Sequence, residues 1–180
     1  MRLNLPSQAY LAECFDYDPA TGVLTWRARP REHFRTEGGY KSWTARFRGK
    51  AAGSVVDGRR IIALVDHNWH SQRVIWKLVT GEDPAALIDH RNGDGTDDRW
   101  ENLRAATKQQ NQHNGPMKSR NTTGFKGVSL TNHGERLPFR ATVVINRKQI
   151  YLGTFATAEE AHAAYCEAAQ RLHGEFWRAE

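Results

Sequence analysis

The spacing of apolar and polar positions changes period several times along the chain, and each change marks an expected element. Residues 8–15 carry a short helical pattern that ends in the turn cluster Asp16-Tyr17-Asp18-Pro19-Ala20-Thr21-Gly22, after which Val23-Leu24-Thr25-Trp26 reads as a strand. Residues 27–49 are long, basic and glycine-containing, and are expected to form an extended loop or arm. Residues 51–54 and 59–65 flank Asp57-Gly58, a pair that supplies the positive φ of a tight hairpin turn. Ser71 can cap a helix to about Thr80, with Val74, Ile75 and Leu78 on one apolar face and Gly81 as its stop. Leu87-Ile88-Asp89-His90 then reads as a short strand, residues 91–98 as a Gly/Asp-rich loop, and residues 105–113 as a second helix ended by Asn114-Gly115-Pro116.

Beyond that Gly-Pro the pattern shortens. Three β-rich runs (127–130, 139–145 and 149–152) precede a helix opened by Thr157 with Glu160 three residues on, a capping box. Ala158, Ala161, Ala164, Tyr165, Ala168, Ala169 and Leu172 give that helix an apolar stripe, with Gly174 as its stop. The expectation is an α+β protein: residues 1–115 as one domain with a β-rich, basic N-terminal extension, 116–123 as a linker, and 124–180 as a three-stranded antiparallel sheet packed on one helix.

Composition narrows the function classes. The 180 residues hold 26 Lys/Arg against 20 Asp/Glu, a net +6, and two cysteines, Cys14 and Cys166, without CxxC spacing. A disulfide framework and a cysteine-based structural zinc site are therefore not expected. No apolar run approaches the 18 or so residues of a membrane span and no secretory signal is visible, so the expected setting is a reducing cytoplasm, away from membranes.

The charge lies in blocks. Residues 27–60 hold ten cations against Glu32, Glu37 and Asp57, a net +7, interleaved with Trp26, Phe34, Tyr40, Trp43 and Phe47. Residues 82–101 are −5, residues 120–151 are +5 and residues 155–180 are −3. A protein that follows a phosphate backbone and holds a divalent cation in a carboxylate pocket would carry such blocks.

The densest chemistry lies between Ile88 and Asn114. Asp89 and His90 are adjacent at a strand end, with Asn102 twelve and Asn111 twenty-one residues after His90. A strand, a returning loop and a helix can bring Asn111 back beside Asp89. A carboxylate and an amide oxygen, completed by waters and a phosphate oxygen, suit Mg²⁺ or Mn²⁺. His90 can deprotonate a water for attack on phosphorus. Lys108, three residues before Asn111 on one helix face, can approach the phosphate or remain a solvated lysine. The competing account of the whole segment is an Asp/Gly-rich turn.

Asp89-His90, Asn102-Leu103-Arg104 and Asn111 resemble the HNH nuclease motif and its ββα-metal fold, in the form found in phage and intron homing endonucleases. Phe15-Asp16-Tyr17-Asp18-Pro19, Gly22, Leu24-Thr25-Trp26 and Arg73-Val74-Ile75-Trp76 extend the likeness over about residues 10–114. The resemblance implies Asp89 and Asn111 as metal ligands, His90 as general base and Asn102 as a brace for the hairpin. One position departs: relatives commonly carry histidine before the arginine matching Arg73, and this chain has Gln72.

The C-terminal runs Asn121-Thr122-Thr123-Gly124-Phe125-Lys126-Gly127-Val128, Tyr151-Leu152-Gly153-Thr154-Phe155 and Ala158-Glu159-Glu160-Ala161-His162-Ala163-Ala164-Tyr165 resemble the APETALA/ethylene-response-factor DNA-binding domain. That family lays its sheet in the major groove. The resemblance implies DNA contacts by Lys126, Ser129, Thr131, Arg136, Arg140, Thr142 and Tyr151, with Arg147 and Lys148 near phosphates. Plant members have arginines and a tryptophan at the positions of Ser129, Thr131 and Tyr151, so base preference does not transfer. The expectation is a Mg²⁺- or Mn²⁺-dependent double-stranded-DNA endonuclease of a phage or bacterial cell, with oligomeric state open and a monomer slightly favoured. Its rival is a DNA-binding regulator whose nuclease has decayed.

Overall fold

The computed structural model describes residues 4–115, 120–131, 136–146 and 148–178. The architecture is α+β, in two compact units, Met1–Ala106 and Thr107–Glu180.

The first unit opens with α1 (Gln8–Cys14), capped by the Ser7 hydroxyl, which accepts from the Tyr10 amide. The chain turns directly into an antiparallel hairpin of β1 (Phe15–Asp18) and β2 (Val23–Trp26), in register from Phe15 opposite Trp26 to Asp18 opposite Val23. Leu11, Cys14, Phe15, Leu24 and Trp26 are buried together and start the core.

Residues 27–49 do not form an extended arm. They contain a short 3-10 turn (Arg31–His33) and a helix, α2 (Glu37–Phe47), whose start is capped by Thr36 Oγ1 accepting from the Gly39 amide at 3.1 Å. Trp43 and Phe47, one turn apart, hold the helix to the core. Trp43 meets Trp26 edge-on at 5.1 Å and Phe34 at 5.4 Å, and the Arg29 guanidinium lies 4.9 Å from both the Phe34 and Trp43 rings. The interleaved aromatics are thus packing groups, and Arg29 is spent on cation–π contacts.

β3 (Ser54–Val56) and β4 (Arg59–Leu64) form the Asp57-Gly58 hairpin, with both turn residues at positive φ. A third strand, β5 (His67–His70), joins through a second tight turn, giving the order β3-β4-β5. Ile62, Leu64 and Trp69 face the core. α3 (Ser71–Thr80) follows without a loop and buries Val74 and Ile75; His70 takes the cap position, and Gly81 ends the helix in the left-handed region. β6 (Leu87–His90) pairs antiparallel with β7 (Leu103–Ala106). Ala105 and Ala106, read from sequence as helix, are therefore strand, because Leu87 and Ile88 offer them backbone partners.

The second unit begins with α4 (Lys108–Asn114), started by a Thr107–Gln110 capping box. The expected boundary at Gly115-Pro116 lies inside this unit, since the Lys126 ammonium grips the Gly115 carbonyl at 2.7 Å. Residues 116–119 of the expected linker lie outside the described residues. β8 (Val128–Leu130), β9 (Phe139–Ile145) and β10 (Lys148–Phe155) make an antiparallel sheet of order β10-β9-β8, covered on one face by α5 (Ala158–His173) with its Thr157–Glu160 capping box. Ala141 and Val143 of β9 and Ala161, Tyr165, Ala168 and Ala169 of α5 are buried.

If α2 is a docked helix, Trp43→Ala should lower the stability of the full chain by about 2 kcal/mol in chemical denaturation, the scale of a large aromatic truncated at a half-buried position. An unchanged midpoint would return residues 27–49 to an unpacked arm.

Candidate active site

β6 delivers two adjacent side chains to the same end of the first unit, and the alternation of a strand sends them to opposite faces. Asp89 lies opposite Arg104 and His90 opposite Leu103. Both are buried. Arg104 Nε donates to Asp89 Oδ2 at 2.9 Å and its Nη2 lies 2.8 Å from the same oxygen, an ion pair with both side chains 5% exposed.

On the other face, His90 Nε2 sits 2.9 Å from Asp98 Oδ1. Asp98 is 1% exposed, and its Oδ2 accepts the Ser71 hydroxyl from the start of α3. An ionised carboxylate only accepts hydrogen bonds, so the proton of a neutral His90 ring resides on Nε2 and the lone pair on Nδ1. Asp98 and Ser71 did not emerge from the sequence; the signal available was an acidic residue eight positions after His90.

The loop between β6 and β7 is tied internally. Asn102 Oδ1 accepts the Asn92 amide at 3.0 Å, while its Nδ2 donates to the Asp97 carbonyl at 2.7 Å and to Asn92 Oδ1 at 3.0 Å. Arg99 spans both oxygens of Asp97, at 2.8 and 2.7 Å, and Asn92 Nδ2 adds a third bond at 2.7 Å. The Arg99 hydrogen bonds hold the Asp97 carboxyl down at about 2.

Two hairpins press on this loop. Gly22, at φ +75°, has no room for a Cβ: one would lie 2.5 Å from the Arg99 amide nitrogen and the Asp98 carbonyl carbon. Tyr17 Oη donates to the Asp98 carbonyl at 2.9 Å, and the Trp100 amide donates to the Pro19 carbonyl at 3.1 Å. On the other side, a Cβ at Gly95 would lie 2.5 Å from the Gly58 carbonyl oxygen, so the β3–β4 turn rests on the loop.

The acidic block is mostly spent on named partners. Asp83 pairs with Lys77 at 2.6 Å, Asp97 and Glu101 with Arg99, Asp89 with Arg104, and Asp98 with His90 and Ser71. Among the described residues, no three His, Cys, Asp or Glu side chains are grouped to hold a metal. Gln72 is buried in α3 with its Oε1 lacking a hydrogen-bond partner among the described residues.

Lys108 and Asn111 lie on α4 in the second unit, Lys108 exposed and Asn111 half-buried. In the sheet of that unit, Ser129 stands opposite Arg140, Arg140 opposite Thr154, and Thr142 opposite Tyr151. These side chains share the face away from α5, with Ser129, Arg140 and Tyr151 exposed. Gln149 Nε2 donates to Thr142 Oγ1 at 3.0 Å. Thr131 Oγ1 donates to the Pro138 carbonyl at 3.3 Å; Arg136 and Lys148 are exposed, and Arg147 lies outside the described residues. Lys126 is turned inward: its ammonium donates to the Gly115 carbonyl at 2.7 Å and the Arg178 carbonyl at 3.0 Å, and burial, then the nearby Arg178 charge, pushes its pKa down.

A strand pair carrying Asp-His, a loop closed by asparagine and a following helix occur in the ββα order of HNH nucleases, and residues 70–113 match the family model described as HNH endonuclease. The chain is similar to "Protein 3.8" of Escherichia phage T7, 32% identical over 105 residues that cover 58% of this chain and 84% of that protein. It belongs to the same family as that phage protein and carries an HNH endonuclease domain. No solved structure matches it.

Removing the cation that accompanies a buried carboxylate is costly, so Arg104→Met should destabilise the chain by about 3–5 kcal/mol in urea titration. A loss below about 1 kcal/mol would mean that Asp89 does not depend on Arg104. Asp97 supplies an acid-side test. Its folded pKa of about 2 lies below an unfolded value of about 3.9, so its contribution is complete above the unfolded value and disappears as pH falls from there through about 2. The melting temperature of Asp97→Asn should therefore fall less steeply than that of wild type in this window; parallel curves would remove Asp97 from the account of acid sensitivity.

Proposed function

We propose that the protein is a divalent-metal-dependent double-stranded-DNA endonuclease of the homing type, with an ethylene-response-factor-like C-terminal sheet that anchors it on DNA. The observation that carries this reading is the buried Ser71–Asp98–His90 chain beside Asp89 on β6. It supports a fixed imidazole whose Nδ1 takes a proton from water as that water attacks phosphorus. Asp98 holds the ring in the tautomer this requires and steadies the imidazolium that results. Arg104 holds the Asp89 carboxylate in place through its ion pair and hydrogen bond.

Carboxylate and amide oxygens are the donors a hard cation takes, so the chemistry of Asp89 and Asn111 fits Mg²⁺ or Mn²⁺. These two residues would hold it, and the cation would stabilise negative charge on the phosphate and the leaving oxygen. Lys108 is assigned to the phosphate as well. In the C-terminal sheet, Ser129, Arg140, Thr142 and Tyr151 are the proposed groove-facing residues, with Arg136, Arg147 and Lys148 toward phosphates. Lys126 is better suited to bracing its own unit, since its ammonium is already on two carbonyls.

The test is nicking of supercoiled plasmid. Wild type should cut with Mg²⁺ and stop with EDTA, and His90→Ala should lose about 10²–10⁴-fold in rate. Asp98→Asn should lose a smaller share. Normal duplex binding without cutting by wild type would leave a DNA-binding protein whose nuclease has decayed. In EDTA, Arg140→Gln/Tyr151→Ala should weaken duplex binding; unchanged affinity would reduce the sheet to a structural role.

A further inference from the structure

The open face of the β3–β5 sheet carries cations that the nuclease chemistry does not use. Ile62, Leu64 and Trp69 point into the core, so the intervening residues Arg59, Ile61 and His70 belong to the opposite face. Ile61 is directly opposite His70, and Arg59, two residues before Ile61, is a diagonal neighbour of that histidine. Arg73 follows within the first turn of α3. Burial first, then the charges of Arg59 and Arg73, hold the His70 imidazole below its ordinary pKa, against a smaller opposing pull from Asp98.

No ion pair or side-chain hydrogen bond ties Arg59, His70 or Arg73 among the described residues. Two other cations of the same unit, by contrast, have carboxylate partners: Arg27 lies 3.3 Å from Asp16 and Arg31 lies 2.7 Å from Glu37. Two guanidiniums around one imidazole, with no carboxylate among the described residues paired to any of the three, repel one another and favour an anion between them.

Their location gives that anion an identity. Ser71, the residue after His70, holds Asp98, which holds His90. The Gly58 carbonyl rests against Gly95, and the Arg59 Cγ lies within 3.2 Å of where a Gly95 Cβ would stand. The cations are thus seated on the same loop and helix start that position the proposed base. A polyanion whose bond is cut at His90 would be bound beside that same loop and helix start.

We infer that Arg59, His70 and Arg73 form a phosphate-binding surface for the duplex-DNA backbone flanking the cleaved bond, by which the first unit grips DNA through its own sheet and helix. The inference rests on the duplex-DNA reading proposed above. It adds a second, sequence-independent anchor separate from the C-terminal sheet.

The experiment measures duplex binding by the full chain in EDTA, where nothing is cut, over a series of salt concentrations. Arg59→Gln/Arg73→Gln should weaken binding and flatten the plot of log K against log salt by about 1.8, two phosphate contacts at about 0.9 each. Arg59→Lys/Arg73→Lys should keep most of the slope, and supplies the answer if the glutamine variant melts early. Arg27→Gln/Arg31→Gln removes the same charge from paired residues and should change the slope less. An unchanged slope in Arg59→Gln/Arg73→Gln, or an equal loss in both glutamine pairs, would overturn the inference. Wild type that binds but does not cut with Mg²⁺ would fail the nuclease reading alone, and cutting with an unchanged slope would fail this one alone.

Discussion

A carboxylate with almost no exposed surface must be satisfied by hydrogen bonds or counter-charge, or it will take up a proton or unfold its surroundings. Asp98 is in that position. Its two oxygens are met by His90 and Ser71, and its backbone carbonyl by Tyr17. Those three partners come from β6, α3 and β1, so one buried anion fixes a strand, a helix start and a hairpin against one another. Gly22 exists in its present form because the hairpin must approach the Asp98–Arg99 backbone more closely than any side chain permits. Stability and proposed chemistry therefore draw on the same group. The imidazole that is proposed to take a proton from water is also one of the donors that keep Asp98 buried.

Much of the scaffold was legible where a single residue type fixes local geometry. Asp57-Gly58 specified a hairpin, Gly81 a helix stop and Thr157 with Glu160 a helix start, each through backbone requirements that hold in any context. The failures came where distant contacts decide. Gly38 and Gly39 weaken a helix by propensity, yet α2 forms because Trp43 and Phe47 gain an aromatic core to pack on. Ala105 and Ala106 prefer helix, yet β6 makes them strand. At the site, adjacency made Asp89 and His90 conspicuous. Asp98 was hidden in an acidic run whose members look alike until their partners are known.

Those partners also change the meaning of the charge blocks. The acidic segment suggested a pool of carboxylates around a cation, whereas most of its members are distributed over separate pairs with Arg99, Arg104, Lys77 and His90. The basic segment divides in the same way. Arg29 is enclosed by aromatic rings, Arg27 and Arg31 have carboxylates, and Arg59 stands on an open sheet face. A block of charge in a sequence is a sum over such fates, and only the uncompensated remainder is available to a polyanion.

Lys126 closes a different circuit. Its single ammonium joins the carbonyl of Gly115, near the start of the second unit, to that of Arg178, near its end. A folded module whose two ends meet can be spliced between neighbouring residues of another chain, or lost from it, without stretching the host. The lysine that was expected to touch DNA instead ties together the ends of residues 115–178 and gives that stretch the geometry of a portable cassette, one that recombination could exchange while leaving residues 70–113, the HNH match, in place.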